Sequence, residues 1–207
     1  MKAYVLKKHG PAESLKISEI EKPEPGPGQV RVKVKTIGLN YAEILSRKGI
    51  YNWSPKRPYT LGMECYGVID SVGENVKRKV GEKVIAGSQF GSYAEYIVVD
   101  EHLALKAIPG FNENEQAAVL VNFLTAYIAL FELARIRPSD SVLITSAAGG
   151  VGSAAIMFAK ALGCKIAGAS GGKDKIVRSV GADFSVDYRN ENWKEKLGEK
   201  FPTGFDV

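Results

Sequence analysis

Sulfur is scarce in this 207-residue sequence. It has two cysteines, Cys65 and Cys164, far apart and neither in a Cys-x-x-Cys pair. That excludes a disulfide framework. Both are flanked by strand-like apolar residues and read as buried structural thiols. Histidine is equally rare: His9 and His102 have no ligand-type neighbour at metal-binding spacing and read as surface residues. No apolar run approaches the about 20 residues of a membrane-spanning helix. The N-terminal "MKAYVLKKHG" lacks the long apolar stretch and small-residue cleavage site of a signal peptide, so a cytoplasmic location is expected. The densest basic run, "VKRKVGEKV", includes an acid and ends in strand-like residues, as a solvated turn does. With no zinc finger, basic helix or aromatic-interleaved basic sheet, nucleic acid is not an expected partner. There is no internal repeat and no low-complexity segment. The net charge of +5 favours anionic ligands.

What is present falls into two parts. Residues 1–105 carry short Val-, Ile- and Tyr-rich segments such as "QVRVKVKTIG", "CYGVIDSVG" and "SYAEYIVV", separated by Gly and Pro. They predict a barrel-like antiparallel fold with one short helix over 40–49. Prolines 23, 25 and 27 make "EKPEPGPGQ" a stiff surface connection. Near residue 110 the pattern changes. Asn112 and Glu115 form a capping-box-like pair. Phe123, Tyr127, Leu130, Phe131 and Ala134 then share a helical face that Pro138 should end. From residue 141 strands and helices alternate, as in a parallel sheet with crossover helices. The final "GFDV" looks like the opening of another strand. Three strands plus this one, against about six in a doubly wound dinucleotide domain, lead us to expect the front part of a larger fold.

The stretch "ITSAAGGVGSAA", residues 144–155, carries the chemistry. The strand "SVLIT" delivers the chain to a tight turn, and a helix follows. That is the arrangement in which exposed helix-terminal N–H groups accept a phosphate. Gly149 and Gly150 leave the backbone open to a pyrophosphate, and Gly152 allows close packing of the helix. Ala147 replaces the first glycine of the usual fingerprint, which is tolerable if its φ stays negative. Val151, Ala154, Ala155, Phe158 and Leu162 form the packing face. The second strand ends in "SGGKDK" rather than with the acid that grips an NAD ribose. Ser170, Gly171 and Lys173 there suit a 2′-phosphate, Asp174 should point elsewhere, and Tyr188 and Arg189 should lie nearby at the end of the third strand. The cofactor expected is therefore NADPH.

With "PGPGQVRVKVKTIGLNYAEILSRKGIY", "LGMECYGVIDSVGENV", "AAVLVNFLTAYIAL" and "SVLITSAAGGVGSAAIMFAKALG" in order along nearly the whole chain, the sequence resembles a family. These are the zinc-independent quinone oxidoreductases of the medium-chain dehydrogenase/reductase superfamily, the ζ-crystallin-like group, and within it the VAT-1 branch. "AAGGVG" is that group's form of the glycine motif. The resemblance implies an α/β plus β organisation: a GroES-like β-barrel catalytic domain over 1–121, then over 122–207 a partial NADP-binding Rossmann domain with a doubly wound parallel sheet, C-terminally incomplete. It implies NADPH-dependent reduction of a quinone or an α,β-unsaturated carbonyl (an enone), and a homodimer in the complete form. Against the zinc-dependent relatives, "GHE" becomes Gly62-Met63-Glu64, Asn40 stands about where their first cysteine lies, and their four-cysteine lobe is missing. No metal is expected, because a thioether is a poor zinc ligand.

Without a Lewis acid, oxidising an alcohol is difficult, whereas an activated C=C or a quinone accepts the developing charge itself. Tyr51, matching a family tyrosine near the nicotinamide, is the expected donor or positioner. Asn40 is the expected carbonyl hydrogen-bonder. The cofactor contacts expected are Thr125, Ala148, Gly149, Gly150, Val151, Ser170, Gly171, Lys173 and Tyr188. Trp53 could wall the substrate cleft. The alternatives are an NADPH-binding protein with a non-catalytic structural, membrane-associated or RNA-associated role, and an inactive truncated chain.

Overall fold

A computed structural model describes residues 1–207, and the chain divides into two compact units, Met1–Val121 and Asn122–Val207. The first contains β1 (Lys2–Leu6), β2 (Leu15–Glu19), β3 (Gln29–Ile37), α1 (Tyr41–Lys48), β4 (Tyr59–Thr60), β5 (Glu64–Val72), β6 (Lys83–Gly87), β7 (Tyr96–Asp100), β8 (Ala104–Lys106) and α2 (Glu113–Ala117). A five-stranded antiparallel sheet has the order β7-β3-β5-β6-β8, and a three-stranded one the order β2-β1-β4. Register shifts in the β3–β5 pair at Arg31/Val32 and Val34/Thr36 bend the larger sheet. Val30, Val32, Cys65, Ile69, Val84 and Ala86 fill its inner face, each buried.

Helix boundaries here are written locally. Glu43 Oε2 accepts from the Asn40 N–H at 2.5 Å at the start of α1, and Gly49, at φ +80, closes it. At α2, Asn112 Oδ1 accepts from the N–H groups of Asn114 and Glu115, and Glu115 Oε2 accepts from the Asn112 N–H at 2.8 Å.

In the second unit, β9 (Ser141–Thr145), β10 (Lys165–Ser170) and β11 (Phe184–Asp187) form a parallel sheet in the order β11-β10-β9. Crossovers run through α4 (Gly150–Leu162) and α5 (Asp174–Ser179); α3 (Leu120–Tyr127) precedes the sheet and α6 (Trp193–Lys200) follows it. The terminal residues lie along the free edge of β9. Val207 N–H donates to Ser141 O and Val207 O accepts from Leu143 N–H, the bridging pattern of a parallel pair. The core centres on Val142, Ile156, Ala159, Ile166 and Val177.

Two sequence expectations need correction here. The helix before the sheet does not run to Pro138: after Tyr127 the backbone widens into a π-helical turn, Ile128–Leu133, and Arg135 takes a left-handed φ of +55. Ile136 N–H donates instead to Leu130 O, so a backward-folded cap stops the helix before proline can. The wider turn goes with a cluster in which Phe123, Tyr127 and Phe131 all meet the Phe158 ring. Val151 is not on the packing face of α4 but 38% exposed at its start, while Ile156 and Ala159 are buried. No helix is long and apolar enough to cross a membrane.

Candidate functional site

The turn from β9 into α4 is tight because its positive φ falls on Ser146, at +49. Ala147 avoids that region and is fully buried, its N–H donating to Ala169 O at 3.0 Å. The turn thus needs no glycine at position 147, because its left-handed residue is Ser146. Gly152 is obligatory for a packing reason, since a Cβ there would sit 2.5 Å from Ser146 O and 2.8 Å from Ala147 Cα. At Gly149, the N-cap, an added Cβ would press on Ser146 O at 3.1 Å, closer than an ordinary contact, so glycine eases the turn here too. No side chain caps α4, so its first-turn N–H groups stay available to an anion. Gly150 serves a different purpose from open approach: the Asn122 amide packs where its Cβ would be.

A cavity of about 240 Å³ opens from this turn, lined by Ser146, Ala148, Gly149, Ser170, Gly171, Lys173 and Tyr188. Six residues singled out from sequence therefore converge there; Gly150, Val151 and Thr125 do not line it. Thr125 is an exposed residue of α3. Ser146 was not foreseen, and its only signal was a small residue at the end of the strand, just before "AAGG". Ser170 is 2% exposed, and its Oγ accepts from the Lys173 N–H at 3.2 Å. Lys173 is the cavity's only charged lining residue. Asp174 lies outside the lining, with Oδ1 buried and without a hydrogen-bond partner. Beside Gly172, Arg189 folds onto Asp187, Nη2 to Oδ2 at 2.6 Å. That guanidinium, with the Arg189 N–H, pulls the Asp187 carboxyl down to about 2.

In the first unit, Asn40 and Tyr51 line separate cavities. Asn40 borders an apolar one of about 280 Å³ with Leu39, Ile44, Leu61 and Tyr93. Tyr51 borders one of about 660 Å³ with His9, Lys56 and Arg57. Trp53 is 72% exposed in the same loop.

Behind Asn40 lies a buried polar network that the sequence did not announce. Glu43, 3% exposed, accepts at Oε1 from the Met63 N–H at 2.9 Å and at Oε2 from the Tyr93 hydroxyl at 2.7 Å as well as from Asn40 N–H. Glu64, 0% exposed, accepts at Oε1 from Asn40 Nδ2 and at Oε2 from the Val121 N–H, each at 3.0 Å. Burial pushes the Glu64 carboxyl up, against the pull of those two donors. Burial and the Glu43 charge push the Tyr93 phenol up as well. Cys65, facing the core, is raised to about 12 by burial.

Two families of known proteins match: the alcohol dehydrogenase GroES-like domain over residues 26–110 and the zinc-binding dehydrogenases over 150–207. The second description implies zinc, which the residues present do not fit. No three His, Cys, Asp or Glu side chains are grouped to hold an ion. Both oxygens of Glu43 and of Glu64 face N–H or O–H donors, and the Cys65 thiol is held protonated. The synaptic vesicle membrane protein VAT-1 homolog of Danio rerio is 37% identical over 211 residues, covering all of this chain and 43% of that protein. The quinone oxidoreductase of Homo sapiens is 37% identical over 216 residues, covering all of this chain and 65% of that protein. The crystal structure of Escherichia coli quinone oxidoreductase complexed with NADPH superposes with a TM-score of 0.91 at 31% identity, over 98% of this chain and 63% of that one. The chain thus spans roughly half to two-thirds of the length of these relatives. Sequence, fold and turn geometry agree: the chain belongs to the medium-chain dehydrogenase/reductase superfamily, among its quinone oxidoreductases and VAT-1 homologues.

Proposed function

We propose that the complete protein reduces a quinone or an α,β-unsaturated carbonyl compound with NADPH and without a metal ion. Residues 1–121 would serve the substrate and 122–207 the cofactor. The observation that carries this reading is the cavity at the β9–α4 turn, where open first-turn N–H groups and Lys173 face an anion and no carboxylate opposes it. When bound, NADPH supplies the hydride. The turn at Ala148-Gly149 would take the pyrophosphate; Ser170, Gly171 and Lys173 the 2′-phosphate; Tyr188 would wall the adenine end, and Thr125 would touch the cofactor. Asp187, at the end of β11, is paired with Arg189 and so would repel a phosphate less than a free carboxylate.

On the substrate side, Tyr51 would donate to the carbonyl oxygen as charge develops on it, and Asn40, which opens on a different cavity, would hydrogen-bond a carbonyl elsewhere on the substrate with the amide hydrogen that Glu64 leaves free. The donor set around Met63 favours the metal-free form. A conjugated acceptor then suits the site, because it carries the developing charge without a Lewis acid. The reading includes a homodimer in the cytoplasm. The test is a pair of dissociation constants, NADPH against NADH, on the full-length protein, followed by NADPH oxidation with 1,2-naphthoquinone. Equal affinities remove the cofactor argument. Tight NADPH binding with no oxidation of any quinone or enone favours the alternative, an NADPH-binding protein with a non-catalytic role.

A further inference from the structure

The cavity beside Tyr51 is basic and unneutralised. Lys7, His9, Lys56 and Arg57 line it, and no Asp or Glu does. Lys7, Lys56 and Arg57 take part in no salt bridge. The nearby end of α1 does not absorb their charge either, because its Leu45 and Ser46 carbonyls already accept from Ile50 N–H and Gly49 N–H at 3.1 and 3.0 Å. The walls are held in place. The His9 imidazole packs against Gly49 where any Cβ would collide. Ser54 Oγ bonds Ser46 Oγ at 3.1 Å, and Gln89 Nε2 donates to Trp53 O at 3.1 Å. The volume of about 660 Å³ admits a small molecule.

Like charges gathered around a water-filled hollow repel one another, and an anion among them relieves that repulsion. We propose that this cavity binds the anionic end of the substrate: a quinone or enone carrying a carboxylate, sulfonate or phosphate away from the bond that is reduced. The proposal rests on the reductase reading and on Tyr51 serving the reacting carbonyl. A neutral quinone gains nothing from these cations; an anionic one is drawn in and oriented by them.

The test compares 1,2-naphthoquinone with 1,2-naphthoquinone-4-sulfonate on the full-length protein, unmodified and as Lys56→Ala/Arg57→Ala. The variant is expected to lower the sulfonate-to-neutral ratio of kcat/KM by about tenfold. The same ratio in the unmodified protein should fall as salt is raised. Dividing one quinone's rate by the other's cancels their different intrinsic reactivity between the two proteins. A ratio unchanged within about twofold overturns the proposal. If neither quinone is reduced, the reductase reading fails. Calorimetric binding of the sulfonate then decides the cavity by itself: about tenfold weaker binding in the variant supports it, and equal binding overturns it. Lys7→Ala, on a different segment, gives the same comparison if the double variant does not fold. Sedimentation with phosphatidylserine vesicles that depends on these residues, with no preference between the quinones, also overturns the proposal and assigns the charge to a lipid surface.

Discussion

Substituting Asn40 by Asp tests the buried network most severely. Asp is as good a helix N-cap as Asn, so α1 itself should tolerate the change. The new oxygen, however, would face Glu64 Oε1 where the amide now donates at 3.0 Å. Two carboxylates that close repel by about 5 kcal/mol at an effective dielectric constant of 20. Keeping one of them protonated at pH 7, from an ordinary glutamate pKa of about 4.3, costs about 3.7 kcal/mol. Proton uptake is the smaller cost, and burial, which already raises Glu64, makes it smaller still. The pair should therefore hold one proton, with an apparent pKa far above that of the unfolded chain. Stability is then fully present below the unfolded pKa and is lost as pH rises towards the folded one, at about 1.4 kcal/mol per pH unit. The expected result is a penalty of about 2–4 kcal/mol at pH 7 that shrinks by about 2–3 kcal/mol on lowering the pH to about 5. Urea denaturation of Asn40→Asp and of the unmodified protein, followed by circular dichroism across that range, gives it directly. In Asn40→Asp/Glu64→Gln the amide donates to the new carboxylate and its carbonyl accepts from the Val121 N–H, so this pH dependence should vanish. A penalty independent of pH in the single variant would refute the Asn40–Glu64 contact.

Four further outcomes are expected. Lys173→Ala should weaken NADPH binding about fivefold to tenfold while NADH binding shifts by less than about twofold; equal losses for both would deny it the 2′-phosphate. Gly152→Ala should destabilise the second unit by about 1–3 kcal/mol, read from its thermal transition, because the methyl meets the backbone of Ser146 and Ala147. Tyr51→Phe should lower kcat for quinone reduction more than it changes KM, and an unchanged kcat would remove the tyrosine from the chemistry. Asp187, held down to about 2 by Arg189, should support stability above the ordinary aspartate pKa and lose that support as pH falls towards 2; carboxyl-carbon NMR titration of Arg189→Ala should show Asp187 returning towards the usual range.

Local physics was legible in the residue order. An N-cap and its partner three residues on, a glycine that closes a helix, and an apolar strand followed by a glycine turn all involve hydrogen bonds that reach only a few residues. This is why Asn112 and Glu115 begin α2 as their spacing predicts, while Asn40, Gly49 and Gly163 occupy helix ends of the same local kind. The residues lining the β9–α4 cavity were legible for the same reason, since parallel strands bring the ends of β9, β10 and β11 together. The stop of the segment after α3 was misread because a left-handed Arg135 ended it before Pro138, and no residue type announces that conformation at an arginine.

The sequence by itself determined the two-part organisation, the nucleotide-type turn and the cation at its far end, because each follows from short-range periodicity and glycine placement. Only the tertiary structure decided that Ser146 carries the strain Ala147 avoids, that Gly150 makes room for Asn122, that Glu64 reaches both Asn40 and Val121, and that Asn40 and Tyr51 open on different cavities. Those partners are 24 or more residues apart in the cases of Asn40–Glu64 and Glu64–Val121. Which side chains meet across such distances is set by how packed elements exclude water and satisfy buried polar atoms, a property of the folded chain and not of any window along it.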